Sequence, residues 1–261
     1  MTPVAALAVA APVRVRDWLQ AAPDGLVPVV HRGPQALYVE VGGRCLGVVS
    51  RGAVRVPCAL RAATEPLPSF LSGPRVSAYV EGGTLHVGSR PLPIGRLEGT
   101  YVPRLDHEVV FGTEAYSVTV EATPPATVAE FAASHVPLGR IDADVAANLI
   151  GRGEGLTPLG DDLLAGWIAL HRAAGIATAD TDHVVLTYAH RTTLLSATLL
   201  ECALHGEVVP EFAAWVRALG TPDATRRATA LSSIGATSGA GILHGAHLAL
   251  AQLQLQLQEA A

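Results

Sequence analysis

The chain has no lysine: all 18 of its basic side chains are arginine. Without a lysine amine no Schiff base can form, which excludes lysine-linked pyridoxal chemistry. A standard phosphate-binding P-loop, whose lysine reaches the outer phosphates, is excluded for the same reason. There is also no basic run, and the formal net charge is -5 with a pI near 6.0. Nucleic-acid binding needs clustered cations to displace counterions, so no nucleic-acid partner is expected. Cysteine is scarce, and Cys45, Cys58 and Cys202 are far apart with no CxxC spacing. That argues against a disulfide framework or a zinc knuckle and suits a reducing cytoplasm. The opening MTPVAALAVAAPVRVRDWL holds an apolar run with no positive charge before it. It is too short to span a bilayer and reads as the start of a helix or first strand rather than a signal peptide, so no membrane partner is expected.

What the chain does have is apolar residues. Of its 261 residues 49% are hydrophobic and 16% charged, enough for one large domain or two modest ones with a sizeable core. Gly and Pro punctuate the first half every few residues. Between them lie short β-like runs: Leu26–Arg32, Ala36–Val41, Cys45–Ser50, Val54–Leu60, Val76–Glu81, Thr84–Gly88, Glu108–Phe111 and Tyr116–Glu121. Closely spaced short strands predict a barrel or sandwich, with the clearest hairpin turn at Glu81-Gly82-Gly83-Thr84.

The composition changes at ATPPAT (Ala122–Thr127). Beyond it the apolar spacing is helical, predicting helices over 128–135, 141–150, 158–174, 182–205, 209–219, 221–231 and 238–258. The fold class expected is therefore α+β: a β-rich, barrel- or sandwich-like domain over 1–122, then an α-helical domain over 128–261.

The helical half contains GRGEGLTPLGDD, Gly151 to Asp162. Its Gly155 and Gly160 have P-loop spacing, but two aspartates stand where the lysine and hydroxyl would be. Leu156 occupies the third glycine position of a dinucleotide fingerprint and no strand–loop–helix context with parallel strands is evident, which makes that reading weak. Thr157 suits a helix N-cap and Pro158 the first helical position. The segment that follows, Leu163 to Leu170, is apolar all round, as in a buried helix. Asp161 and Asp162 thus sit at the mouth of a buried helix, where carboxylates need donors or a metal. The bland reading is that both merely favour the positive end of the helix dipole. The functional one takes Asp161 and Asp162 as catalytic and Gly153, Gly155, Thr157 and Gly160 as binding substrate or phosphate through free N–H groups. Mg²⁺ is the candidate cofactor through which such a pair would tolerate phosphate, although no metal-ligand set is evident.

Two further segments contribute candidates. Ser232 to Gly241 is a small-residue loop before another apolar helix, so Thr237, Ser238 and Gly239 are candidate binding residues; close helix packing is the alternative. Ser196 shares a helix face with Thr193 and either points into a pocket or bonds back to a carbonyl. His244 and His247 have i, i+3 spacing but no accompanying carboxylate, which favours packing over metal binding.

Three motifs in this order carry a family resemblance: Gly151 to Gly166, Ser196 to Glu207 (S-A-x-L-L-x-x-A-x-x-G-E) and Gly235 to Gly245 (G-x-T-S-G-A-x-x-L-x-G). Together they resemble the AllH-type subunit of oxamate carbamoyltransferase. The resemblance implies a cytoplasmic transferase subunit of allantoin (purine) catabolism that works with AllF- and AllG-type partner subunits. The implied reaction is phosphorolysis of oxalurate to oxamate and carbamoyl phosphate. It covers the helical half; the β half carries no motif of its own. Two other readings stand beside it: a non-catalytic anion-binding or regulatory subunit, and a stand-alone enzyme using the two aspartates on a metal. The transfer reading predicts that Asp161→Asn abolishes turnover and leaves the fold intact.

Overall fold

The computed structural model describes residues 6–73, 76–105 and 124–260. The chain folds as two compact units, Met1–Thr100 and Tyr101–Ala261. The expected strands over 108–111 and 116–121 lie outside the described residues.

The first unit is β-rich. In chain order it contains β1 (Val9–Pro12), α1 (Val13–Ala21), β2 (Gly25–Val27), β3 (Val29–Arg32), β4 (Ala36–Val41), β5 (Arg44–Val49), β6 (Ala59–Ala62) and α2 (Ser69–Ser72). It continues with β7 (Ala78–Glu81), β8 (Thr84–Val87), β9 (Arg90–Leu92) and β10 (Ile94–Glu98). Six strands form one sheet in the order β10-β1-β6-β5-β4-β3, and four form another in the order β2-β7-β8-β9. One apolar core draws on both: Leu37, Val39 and Val41 of β4 alternate inward, and so do Leu85 and Val87 of β8. This is the sandwich-like half that the alternating runs predict.

The hairpin at Gly82-Gly83 is as expected, with Glu81 paired to Thr84 and both glycines at positive φ (54° and 72°). A two-residue turn of this hand needs such φ values. Two runs are cut by proline. Leu26–Arg32 splits at Pro28, which puts β2 and β3 in different sheets. In Val54–Leu60 strand structure begins only at Ala59, beyond Pro57. Proline has no N–H to give a ladder, which accounts for both breaks. The short β9 and β10, interrupted by Pro91 and Pro93, escape a pattern reading. So does the parallel pairing of β1 with β10 and of β5 with β6.

The second unit is helical among its described residues. It comprises α3 (Ala126–His135), α4 (Ala143–Leu149), α5 (Leu159–Ala174), α6 (Ala179–Tyr188), α7 (Leu194–Leu204), α8 (Pro210–Ala218), α9 (Ala224–Ser232) and α10 (Ser238–Ala260). The helix expected over 182–205 is in fact two, α6 and α7, separated by a 3₁₀ turn at Ala189–Arg191. Thr193 is the reason for the restart: as N-cap of α7 its hydroxyl accepts from the Ser196 N–H at 3.1 Å. Helices α5 and α10 form the centre of the unit. A Cβ at Gly166 would overlap the carbonyl oxygen of Ile242, and one at Gly245 that of Leu163. Glycine at both positions lets the two backbones approach each other directly. Trp167, Leu170, Phe212, Trp215, Leu243 and Ala246 fill the surrounding core. No described helix is long and apolar enough to cross a membrane.

Candidate functional site

Helix α5 starts one residue later than Thr157 would set it. Pro158 is its N-cap, and no side chain supplies a capping bond. Thr157 is thereby released, and its hydroxyl instead meets that of Ser238 at 2.8 Å. This contact joins the start of α5 to the start of α10.

The two aspartates in the first turn of α5 have opposite environments. Asp161 is 1% exposed and takes three donors. Its Oδ1 accepts from the Gly151 N–H at 2.8 Å, and its Oδ2 accepts from the Ser196 hydroxyl at 2.7 Å and from the Thr192 hydroxyl. Burial pushes its pKa up, while these three bonds pull it down. Asp161 therefore ties the glycine loop to the α6–α7 junction. Thr193 adds to the tie by donating to the Leu156 carbonyl at 2.5 Å. A Cβ at Gly151, at φ 76°, would overlap the Arg191 carbonyl oxygen, so the loop also packs flush on that junction.

Asp162 is 4% exposed, and its Oδ2 has no hydrogen-bond partner among the described residues. Burial raises its pKa to about 8, the neighbouring Asp161 pushes in the same direction, and the hydroxyls of Ser238 and Thr157 oppose the rise. At neutral pH Asp162 is mostly a neutral carboxylic acid. It lies against α10 at Gly241, where a Cβ would press on the Asp162 Cβ at 3.0 Å.

The sequence-derived candidates thus fall into two groups. Ser196 gathers with Asp161, and it donates to that carboxylate rather than back to a carbonyl. Thr157 and Ser238 gather with Asp162. The glycines serve the fold more than expected. The Gly160 N–H donates to the Arg152 carbonyl at 2.8 Å, and the Gly239 N–H to the Ile234 carbonyl at 3.0 Å, so neither is free for an anion. Gly160 and Gly239 also permit close approach: a Cβ there would overlap the Leu149 and Leu231 carbonyl oxygens respectively. The close approach at Gly239 is of the kind the packing alternative describes. Thr237 accepts through its carbonyl from the Gly241 N–H at 2.8 Å. A Cβ at Gly153 would crowd the Leu159 N–H at 2.7 Å, whereas Gly155 faces open space at the exposed tip of the loop.

Sequence reasoning missed Thr192 and the Gly151 N–H as partners of Asp161. The only available signal was the Arg191-Thr192-Thr193 run, whose hydroxyls cluster just before a helix. His244 and His247 are both shifted down by burial, His247 to about 3, and no group of three metal-ligating side chains exists among the described residues. In the first unit, a cavity of about 450 Å³ is lined in part by Arg16, Gln20, Gly83 and Arg96. Its arginines already pair with Asp17 and Glu98.

Fold and site define an α+β protein whose helical unit is organised around a buried aspartate pair at a helix start. Residues 149–250 match the family described as oxamate carbamoyltransferase subunit AllH. That span contains all three motifs, so the AllH-type resemblance is borne out there. Neither curated proteins nor solved structures gave a match.

Proposed function

We propose that this chain is a subunit of a cytoplasmic oxamate carbamoyltransferase-like enzyme, and that its site handles the carbamoyl group. The observation that carries the reading is the meeting of all three family motifs at Asp161 and Asp162. In the reaction, a phosphate oxygen attacks the terminal carbamoyl carbon of oxalurate. The bond from that carbon to the inner nitrogen breaks, and the nitrogen takes up the proton given by phosphate. Oxamate and carbamoyl phosphate are the products. The charged tetrahedral centre needs donors aimed at its oxygen. Neutral Asp162 and whichever of Thr157 and Ser238 is not the donor of their mutual bond can donate; Asp161 and Ser196 hold the frame, and Thr237, Gly153, Gly155, Gly160 and Gly239 shape the backbone around it. Mg²⁺ at Asp162, the alternative device for phosphate, fits poorly, because burial keeps that carboxyl protonated near neutral pH and both oxygens of Asp161 already accept hydrogen bonds. AllF- and AllG-type subunits would complete the enzyme.

The test is carbamoyl phosphate formation from oxalurate and phosphate by the full chain with its co-purifying subunits, with and without a chelator. Phosphate-dependent product that disappears in Asp162→Asn is expected. Full activity in that variant would contradict a working site at Asp162. A second reading, a non-catalytic binding subunit, draws support from the saturation of Asp161 and from the Gly160 and Gly239 N–H groups being taken. Product formation by partner subunits in the complete absence of this chain would favour it.

A further inference from the structure

We propose that Asp162, Thr157 and Ser238 form a subsite for an uncharged carboxamide or ureido group, and that Asp162 Oδ2 is the atom that reads it. This rests on the transfer reading above and commits the site to one half of the substrate.

The argument starts from the unpartnered oxygen. A carboxyl buried to this degree normally finds partners for both oxygens, as Asp161 does with three donors. Asp162 Oδ2 finds none among the described residues. Beside it, Thr157 and Ser238 bond each other and bear on the Asp162 carboxyl; one hydroxyl proton is used in their mutual bond, and the lone pairs of both oxygens retain capacity to accept. The trio therefore offers both donors and acceptors without a fixed charge. That is the complement of a carboxamide, which presents a carbonyl acceptor and N–H donors in one plane.

The same donor set fits phosphate and Mg²⁺ poorly. Arg152 of the glycine loop and Arg191 of the α6–α7 junction each donate one bond to a carbonyl, of Asn148 and Ala147 respectively. The N–H groups of Gly160, Asp161, Asp162 and Gly239 all donate to backbone carbonyls. A hard divalent cation takes several oxygens, usually more than one of them charged. Asp161, the second carboxylate, has both oxygens occupied.

The charge state agrees. Burial keeps Asp162 protonated near neutral pH, so it can donate to a carbonyl without repelling an anionic ligand. Asp161 is the neighbouring acid that bears on it. From α10 come His244 and His247, which respond to burial and, for His247, to His244, but not to Asp162.

Oxamate and oxalate separate the options, because they have nearly the same shape and differ in an amide against a carboxylate. Their binding to the full chain would be measured calorimetrically near pH 6.5 and near pH 9.5. Oxamate should bind at least about tenfold more tightly than oxalate at the lower pH, the scale of one well-made hydrogen bond. Its affinity should fall as pH rises through about 8. Asp162→Asn should flatten that pH dependence, and Ser238→Ala, which leaves the carboxyl in place, should weaken oxamate while keeping it. Equal binding of the two ligands, an unchanged pH profile in Asp162→Asn, or no oxamate binding at tens of millimolar would each overturn the subsite. The transfer reading is scored separately by phosphate-dependent turnover of the assembly. Oxamate binding through Asp162 without turnover would sink that reading and leave the subsite standing.

Discussion

Two adjacent aspartates on one helix turn do different work because successive helical residues point about 100° apart, into different neighbours. Asp161 faces three donors, Asp162 a single pair of hydroxyls. Removing the Asp161 carboxyl would leave buried donors without an acceptor, so Asp161→Ala should cost about 3 kcal/mol. Denaturant titration would check this, and a cost under about 1 kcal/mol would contradict the tie. Geometry thus changes what was expected of Asp161→Asn: a loss of stability now accompanies any loss of turnover.

For Asp162 the sign follows from linkage. Its folded-state pKa is raised above its unfolded value, so the folded state binds more protons. The protein is most favoured by this group below about pH 4, and the contribution is lost as pH rises through the folded value of about 8. Asp162→Asn has no such titration. Its stability relative to the parent should rise by about 1.4 kcal/mol per pH unit across that window. Paired melts at several pH values would read it, and a constant difference between the two proteins would contradict the buried acid.

At the scale of elements, α5 and α10 are placed by what their glycines allow. Ala at Gly166 or Gly245 would drive a methyl group into a carbonyl of the facing helix, which cannot rotate away as a side chain can. Each substitution should cost about 2–3 kcal/mol or more. A melting temperature unchanged from the parent would disprove the close crossing. The end of α5 depends on Arg172, which pairs with both Asp182 oxygens at 2.6 Å and donates to the Leu204 carbonyl at 2.8 Å. Arg172→Ala should cost about 2 kcal/mol by releasing α6 and α7 from it, as measured by equilibrium unfolding.

Much of this level was legible in the sequence. The 3.6 period located α5 and α10, and the glycine-proline punctuation located β4, β5, β7 and β8. The shortfalls have local causes. Proline cut two strands. An N-capping threonine split one expected helix. Pro158 took the cap position that Thr157 was expected to fill, a single-residue shift that freed the hydroxyl which now meets Ser238. Arg172 and Asp182 gave no warning, since an ion pair across a helix junction leaves no periodic trace.

For the whole molecule, the change of composition at ATPPAT made the order of a β half and an α half legible. The convergence of the three motifs was not, because it depends on how α5, α7 and α10 pack. Residue type alone nominated Asp161, Asp162, Ser196 and Ser238. Only the structure sorts them into a saturated carboxylate with its clamps and a neutral acid beside two hydroxyls.

The most direct test of the central claim is a thermal-shift series on the full chain with oxalurate, oxamate, carbamoyl phosphate and phosphate, each with and without Mg²⁺. The parent, Asp162→Asn and Ser238→Ala would be compared. A ligand that binds the native state must raise its melting temperature. The account predicts that oxalurate and oxamate stabilise the parent and that the shift shrinks in both variants. An equal shift in all three proteins, or none in the parent with any ligand, would contradict a carbamoyl site at the start of α5.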